Sequence, residues 1–255
     1  METLLATGKN TEMNASPRTN YQELAEDYAR HRRVHPGVLE RLLFAAGEAR
    51  DILEVGCGSG NYYEAIATTT NARVAGIDPS SAMIGQLLER LPGAETQVAS
   101  GEAIPYPDAS FDMVFSVDVI HHVADRDAYV AEAARVLRSG GVMITTTDSE
   151  EDIVRRVPLS SHFPETIPHE RRRYPGIMAI RDAMARSGFD LLPDEQVERT
   201  TPLTDISPFR NKAFSVLHLI SDEEHRRGME RLEADLAKGP IDARSLYTLV
   251  IGKKP

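Results

Sequence analysis

The chain has 255 residues and a formal net charge of -10, with 41% hydrophobic and 27% charged residues, one cysteine and no tryptophan. That length buries a substantial core without disulfide or metal support, and a lone Cys57 excludes an internal disulfide and a thiolate-rich zinc site. The acidic balance opposes contact with a nucleic-acid backbone, no apolar run approaches membrane-spanning length, and residues 1–20 lack the basic start and apolar stretch of a secretory signal, so the expectation is a cytoplasmic protein with no nucleic-acid or membrane partner.

Residues 1–18, rich in Thr, Asn, Ser and Gly, read as a flexible tail. Tyr21, Leu24, Ala25 and Tyr28 then fall at helical spacing, and Val38, Leu39, Leu42 and Leu43 repeat the pattern after Pro36, predicting two amphipathic helices. Strand candidates follow at Ile52-Leu-Glu-Val, Arg73-Val-Ala-Gly-Ile, Thr96-Gln-Val-Ala, Met113-Val-Phe-Ser-Val and Val142-Met-Ile-Thr-Thr, with helical patterns between them. Strand and helix in strict succession predict a parallel, doubly wound α/β sheet with right-handed crossovers. Beyond Thr147 the alternation loosens. Ile177 to Ser187 reads as a helix ending at Gly188, Phe189-Asp-Leu-Leu begins a sixth strand, and Arg244-Ser-Leu-Tyr-Thr-Leu-Val-Ile251 makes a last one. Between those strands Ser221-Asp-Glu-Glu224 has the form of a capping box, ahead of an amphipathic run through Met229, Leu232 and Leu236.

The chemistry concentrates at the end of the first strand. Asp51-Ile-Leu-Glu-Val-Gly-Cys-Gly-Ser-Gly-Asn61 breaks an apolar run into Gly56, Gly58 and Gly60, and the second strand ends at Asp78. A strand, a turn that exposes backbone, a helix, and a carboxylate able to grip a ribose form a nucleoside-cofactor site. Dinucleotide folds favour G-x-G-x-x-G, whereas this loop is G-x-G-x-G with Glu54 just ahead of it. A carboxylate there repels a pyrophosphate and suits a cationic ligand; S-adenosyl-L-methionine, with its ammonium and sulfonium, fits. Asp78 has a second reading as a helix-capping carboxylate, and Cys57 reads as a small buried filler.

These segments resemble the class I S-adenosylmethionine-dependent methyltransferases, in particular the small-molecule group. Asp78-Pro-Ser-Ser-Ala-Met83, Gly101-Glu-Ala-Ile-Pro-Tyr-Pro-Asp-Ala-Ser-Phe-Asp112, Phe111-Asp-Met-Val-Phe-Ser-Val-Asp-Val-Ile-His-His122 and Arg135-Val-Leu-Arg-Ser-Gly-Gly-Val142 follow the glycine loop in the family's order. The resemblance implies a Rossmann-like, mostly parallel seven-stranded sheet with an antiparallel last strand, N-terminal helices, and a helical cap between strands six and seven. It implies a cofactor-binding part over 19–147, with 148–175 and about 203–240 as cap segments of one domain over 19–255. It places the glycine loop against the methionine part, Asp78 on the ribose hydroxyls, Met83 on the adenine and Gly101 and Glu102 at the base edge, with Val117 on the same rim. Tyr28 and Arg32 would close over the cofactor, Arg32 reaching its carboxylate. Ser100 stands where the family often has an acid, and Ser139 where it often has proline, which weakens the expected cofactor affinity more than its identity. The lone cysteine argues against the arsenite-methylating branch.

In-line displacement on a sulfonium is driven mainly by positioning, so a general base for an O, N or C nucleophile is optional. His121, His122 and Tyr21 are the candidate catalytic groups, with a pocket-lining or backbone-bonding role open for the histidines and helix packing open for the tyrosines. Arg30-His-Arg-Arg33 and Arg171-Arg-Arg173 are read as solvated surface or as attraction for an anionic small-molecule substrate. No metal site is expected, and the protein is read as a monomer or homodimer. A non-methylating binder of the same cofactor, and a nicotinamide-dependent dehydrogenase, remain as alternatives.

Overall fold

The computed structural model describes residues 34–255. Tyr21, Tyr28 and Arg32, the expected tail over 1–18 and the basic cluster Arg30 to Arg33 lie outside the described residues. Helix α1 (Pro36–Ala46) starts with Pro36 at its first turn and the His35 ring accepting from Val38 N at 3.3 Å, two devices that satisfy or remove otherwise orphaned amides. Its stripe of Val38, Leu42 and Ala46 is buried.

Among the described residues eight strands share one sheet. In chain order β1 (Asp51–Val55), β2 (Arg73–Asp78) and β3 (Glu95–Val98) run outward from the centre, separated by α2 (Asn61–Thr69) and α3 (Ser81–Arg90). The chain then returns to the other side of β1 with β4 (Phe111–Val117), helix α4 (Arg126–Val136) and β5 (Leu137–Thr147). The four pairings among β1 to β5 are parallel, and β8 (Asp242–Lys253) closes antiparallel on β5. Reversal of the strand order between β1 and β4, which run parallel, opens a crevice at their carboxyl ends, where open α/β sheets bind ligands.

Two differences from the sequence reading have local causes. The sixth strand is split into β6 (Asp190–Leu191) and β7 (Glu195–Pro202), both antiparallel to the same edge of β8, so eight strands occupy seven positions. Pro193 has no amide for the ladder, and pairing resumes at Glu195↔Leu249. The fifth strand begins at Leu137, before the expected Val142, because a bulge around Gly140 (φ 80°) shifts the register between Phe111↔Leu137 and Met113↔Val142.

Alternation along the strands sends Leu53 and Val55 to one face and Ile52 to the other. On the first face they meet Tyr129, Ala133 and Val136 of α4 and Ile180 and Met184 of α8 (Ile177–Arg186); on the second, Leu42, Ile66 and Leu87 from α1, α2 and α3. Burial on both faces is why β1, β2 and β4 read as nearly continuous apolar runs.

A third apolar cluster lies apart from the sheet. After β5 come α5 (Glu150–Arg155), α6 (Leu159–His162) and α7 (Ile167–Arg173); after β7 come α9 (Ser207–Arg210) and α10 (Asp222–Leu236). Leu159 and Phe163 from the first segment pack with Phe209, Val216, Leu217, Met229 and Leu232 from the second. Arg231 Nε donates to His162 O at 2.8 Å and the His162 ring lies 3.2 Å from Asp235 Oδ2, so the two segments are tied to each other by polar contacts as well. The Ser221/Glu224 capping box starts α10 as its sequence suggests. Gly228 in mid-helix is needed for this contact, since a Cβ there would lie 2.1 Å from Phe163 Cδ1, an atom of a fully buried ring. Gly228→Ala should therefore lower the calorimetric melting temperature: overpacking costs about 1–3 kcal/mol, against a gain of about 1 kcal/mol in helix propensity.

Candidate active site

The loop after β1 is held in shape by its own backbone. Gly56 N and Cys57 N both donate to Ile77 O, at 2.7 and 3.0 Å, and Gly60 N donates to Cys57 O at 2.8 Å. Gly56, Gly58 and Gly60 take φ of 73°, 51° and 84°, a region costly for other residues. The three differ in what surrounds them: a Cβ on Gly56 would lie 2.3 Å from Val119 Cγ2 and one on Gly60 2.6 Å from Leu87 Cγ, whereas Gly58 faces open space. The middle of the loop is thus where a ligand can approach backbone. Cys57 is buried, its thiol pushed up by burial and then by Glu54 and Asp78, which makes it a packing residue.

Two carboxylates flank this loop. Glu54, 3% exposed, carries an Oε2 with no hydrogen-bond partner among the described residues. Burial, and then the charge of Asp78, hold its carboxyl well above the usual carboxylate range. Asp78 ends β2, its Oδ2 accepting from Gly58 N at 2.9 Å and its Oδ1 from Ser80 N at 2.8 Å. Ser80, not Asp78, caps the helix that follows, accepting from Met83 N. Each Asp78 oxygen keeps a further lone pair, and burial raises its pKa against those two amides.

The third segment is joined to the second through Ala99 N, which donates to Asp78 O at 3.1 Å. Gly101 packs so closely that a Cβ would lie 2.8 Å from Tyr129 Cδ2. Glu102 accepts from Ser100 Oγ with one oxygen and from Ala124 N at 3.0 Å with the other; burial is the largest single influence and raises its pKa, but the hydrogen bonds together outweigh it and lower the pKa. Its carboxylate therefore ties the segment beside β3 to the turn after β4.

Beyond β4 and β5 the rim turns more polar. Asp118 follows β4 at φ 59°, donating its amide to Thr146 O at 3.0 Å and accepting from Tyr247 OH at 3.2 Å. Next comes a single 3-10 turn, Ile120–His122. The half-buried His121 ring stacks on Tyr174 at 4.1 Å and leans on the exposed His122 at 3.9 Å. Asp148 follows β5, 4% exposed, bound through Oδ2 by Arg156 Nη1 at 3.0 Å. Arg156 Nη2 reaches the buried Glu170 at 2.6 Å, and Glu170 also holds Arg173. Burial first, with Asp118, Glu170 and Asp152 assisting against Arg156, pushes the Asp148 carboxyl up to about 7. Burial, Asp148, Glu170 and Asp118 push the Tyr174 phenol upward.

Residues 53–145 match the family model described as "Methyltransferase domain". A probable S-adenosylmethionine-dependent methyltransferase of Mycolicibacterium smegmatis is 38% identical over 124 residues, which cover 49% of this chain and 47% of the relative. The 27-O-demethylrifamycin SV methyltransferase of Amycolatopsis mediterranei is 36% identical over 96 residues, covering 35% of each. This chain thus spans less than half the length of either relative. In fold it is similar to a putative methyltransferase from an antibiotic biosynthesis pathway of Anabaena variabilis, with a TM-score of 0.66 and 20% identity over 87% of this chain and 98% of that one. Over residues 53–145 the chain is thus similar to the methyltransferase domain family, and its fold is that of a methyltransferase.

Within this methyltransferase fold the sheet gathers Glu54, Gly56, Gly58, Gly60, Asp78, Ser100, Gly101 and Glu102 at one rim. Met83 is buried on α3, and Val117 ends β4 half-buried beside them. His121 and His122 sit at the far end of that rim, with Tyr21, Tyr28 and Arg32 outside the described residues. Of the second arginine cluster, Arg171 and Arg172 are exposed, while Arg173 is bound to Glu170 and Ser215 Oγ. Sequence reasoning missed Asp118, Asp148 and Tyr174. The rule that singles out Asp78, an acid at a strand's carboxyl end, also applies to Asp118 and Asp148; nothing local marks Tyr174, which a later helix delivers. Among the described residues no group of three or more His, Cys, Asp or Glu is arranged to hold a metal ion, and no helix is long and apolar enough to cross a membrane.

Proposed function

We propose that this chain binds S-adenosyl-L-methionine at the carboxyl ends of β1, β2 and β4 and catalyses transfer of its methyl group to an O, N or C nucleophile of a small molecule. The observation that carries the reading is the buried Glu54 with an unpartnered oxygen beside a glycine loop whose middle is open. A buried, unsatisfied carboxylate is costly, and a cationic ligand at that place removes the cost. Gly56 to Gly60 and Glu54 would hold the methionine part, Asp78 the ribose, and Met83, Val117 and the segment Ser100 to Glu102 the base, with Tyr28 and Arg32 closing from the N-terminal side. When bound, the sulfonium supplies the activated methyl group. What the chain supplies is alignment of the acceptor and exclusion of water, worth up to roughly 7–11 kcal/mol. His121, His122 and Tyr21 are assigned to the acceptor side, and the helices of 148–175 and 203–240 to its roof.

The name of the rifamycin relative, and that of a sterol 24-C-methyltransferase 31% identical over 157 residues, supports a small-molecule acceptor. Titration calorimetry with S-adenosylhomocysteine, S-adenosyl-L-methionine and NAD is expected to give saturable heat with the first two and none with the third. Heat with NAD alone would favour a dehydrogenase. Transfer of a labelled methyl group to any member of a panel of small phenols, amines and activated carbon acids separates an enzyme from a protein that only binds the cofactor.

A further inference from the structure

Directly past β5, between the sheet and the helices of 150–173, polar side chains that the cofactor assignment does not use gather into one cluster. It comprises Asp118 from the end of β4, Asp148 from the end of β5, Arg156 after α5, Glu170, Arg173 and Tyr174 from α7 and its exit, His121 and His122 from the turn after β4, and Tyr247 from β8. Asp152 stands behind it, its carboxylate accepting from Ser149 N at 2.9 Å and from Thr248 Oγ1 at 2.6 Å.

The groups of this cluster are unequally satisfied. Glu170 is saturated by two guanidiniums, Arg156 and Arg173. Asp148 is bound through Oδ2 alone, and its Oδ1 takes no hydrogen bond among the described residues although the residue is 4% exposed. That oxygen is open to a further partner. Two positions earlier, near the end of β5, the buried Thr146 Oγ1 lacks a partner, a costly arrangement that points to a polar group from outside the described residues. Arg156, shared with Glu170, fixes the Asp148 carboxylate in direction without neutralising the pair of acids it joins. Stacking on Tyr174 holds the His121 ring against the cluster.

We infer that Asp148 is the proton acceptor of the methyl-transfer step, and that the methyl acceptor comes to this cluster still carrying its proton, as a neutral hydroxyl or a protonated amine. The inference rests on the methyltransferase reading above. The acceptor's proton passes to Asp148 Oδ1, before attack for an ammonium and during it for a hydroxyl, and the heteroatom's lone pair then forms the bond to the methyl carbon as the carbon–sulfur bond breaks, the bonding pair leaving with sulfur.

The first test needs neither cofactor nor acceptor. In protein labelled with carbon-13 at the aspartate carboxyls, one resonance should titrate with a midpoint close to 7 and be missing from Asp148→Asn. If the resonance missing from that variant titrates in the ordinary aspartate range near ~4, Asp148 is not poised to take the proton and the inference is overturned. The second test uses whichever phenol or amine of the panel accepts label. Asp148→Asn should then lose about 10²- to 10⁴-fold in kcat, with KM and S-adenosylhomocysteine affinity unchanged and the acidic limb of the kcat–pH profile gone; Asp148→Glu should restore part of the rate. An unchanged kcat in Asp148→Asn overturns the inference. Failure of the wild type to bind S-adenosylhomocysteine instead strikes the cofactor reading and leaves the carboxyl titration to decide the poise of Asp148.

Discussion

Gly56→Ala is expected to abolish S-adenosylhomocysteine binding and to lower thermal stability by several kcal/mol. The new methyl group meets two obstacles of different kinds. At φ 73° a Cβ costs about 1–2 kcal/mol of backbone strain. It would also stand 2.3 Å from Val119 Cγ2 and 3.1 Å from Cγ1, which adds an overpacking cost of about 1–3 kcal/mol. Neither side can yield cheaply. Gly56 N and Cys57 N are fastened to Ile77 O, while Val119 lies between Asp118, bonded to Thr146 O, and the 3-10 turn bearing His121. Relief must therefore displace the glycine loop or the turn after β4, and both form the rim assigned to the cofactor. A second substitution, Val119→Ala, separates the two obstacles: in the Gly56→Ala background it should recover the steric part of the lost stability and leave the strain. Calorimetric melting of the four proteins of this cycle measures the coupling, and strict additivity would contradict the contact argument.

Glu54→Gln is expected to leave the fold intact and to weaken S-adenosyl-L-methionine binding by about 2–5 kcal/mol, roughly 30- to several-thousand-fold. The side chain keeps its shape, so the loss reports the charge. Wild-type Glu54 has a folded pKa raised well above its ordinary value of 4.5 by burial and then by Asp78. A carboxyl of this kind binds more protons in the folded state than in the unfolded one, so its contribution to stability is greatest below pH 4.5 and declines as pH rises toward the folded pKa. The glutamine variant should lose that decline and be at least as stable at neutral pH. A cation beside Glu54 reverses its preference and expels the proton. Calorimetry in buffers of different ionisation enthalpy should accordingly show proton release on cofactor binding by the wild type and a smaller release, or none, by Glu54→Gln. Equal affinity and equal proton release in the two proteins would remove Glu54 from the site.

The two substitutions also show which parts of the molecule are legible residue by residue. Positive φ at Gly56, Gly58 and Gly60 follows from a glycine pattern between an apolar run and a helix, because only glycine takes that conformation without strain. The parallel strands and their helices are legible for a similar reason: burial on both faces of a sheet demands long apolar runs, and the runs can be counted. The capping box at Ser221 and the helix end at Gly188 are contacts between residues three or four apart, so the local chain contains them entirely.

Nothing of that kind marks Pro193 as the point where one strand becomes two, since the interruption depends on which edge of β8 lies opposite. The same holds for the clash that forbids a side chain at Gly228, which depends on Phe163 arriving from 65 positions away in the chain. The state of the carboxylates is settled in this second way. Glu54 and Asp148 are ordinary acids in the chain. Sheet packing removes water from both, the approach of Asp78 raises the first further, and Arg156 steadies the second. Local propensity and pattern determine which backbone carries the acids, but desolvation and charge proximity act through space, and only the folded arrangement decides which carboxyl waits for a cation and which for a proton.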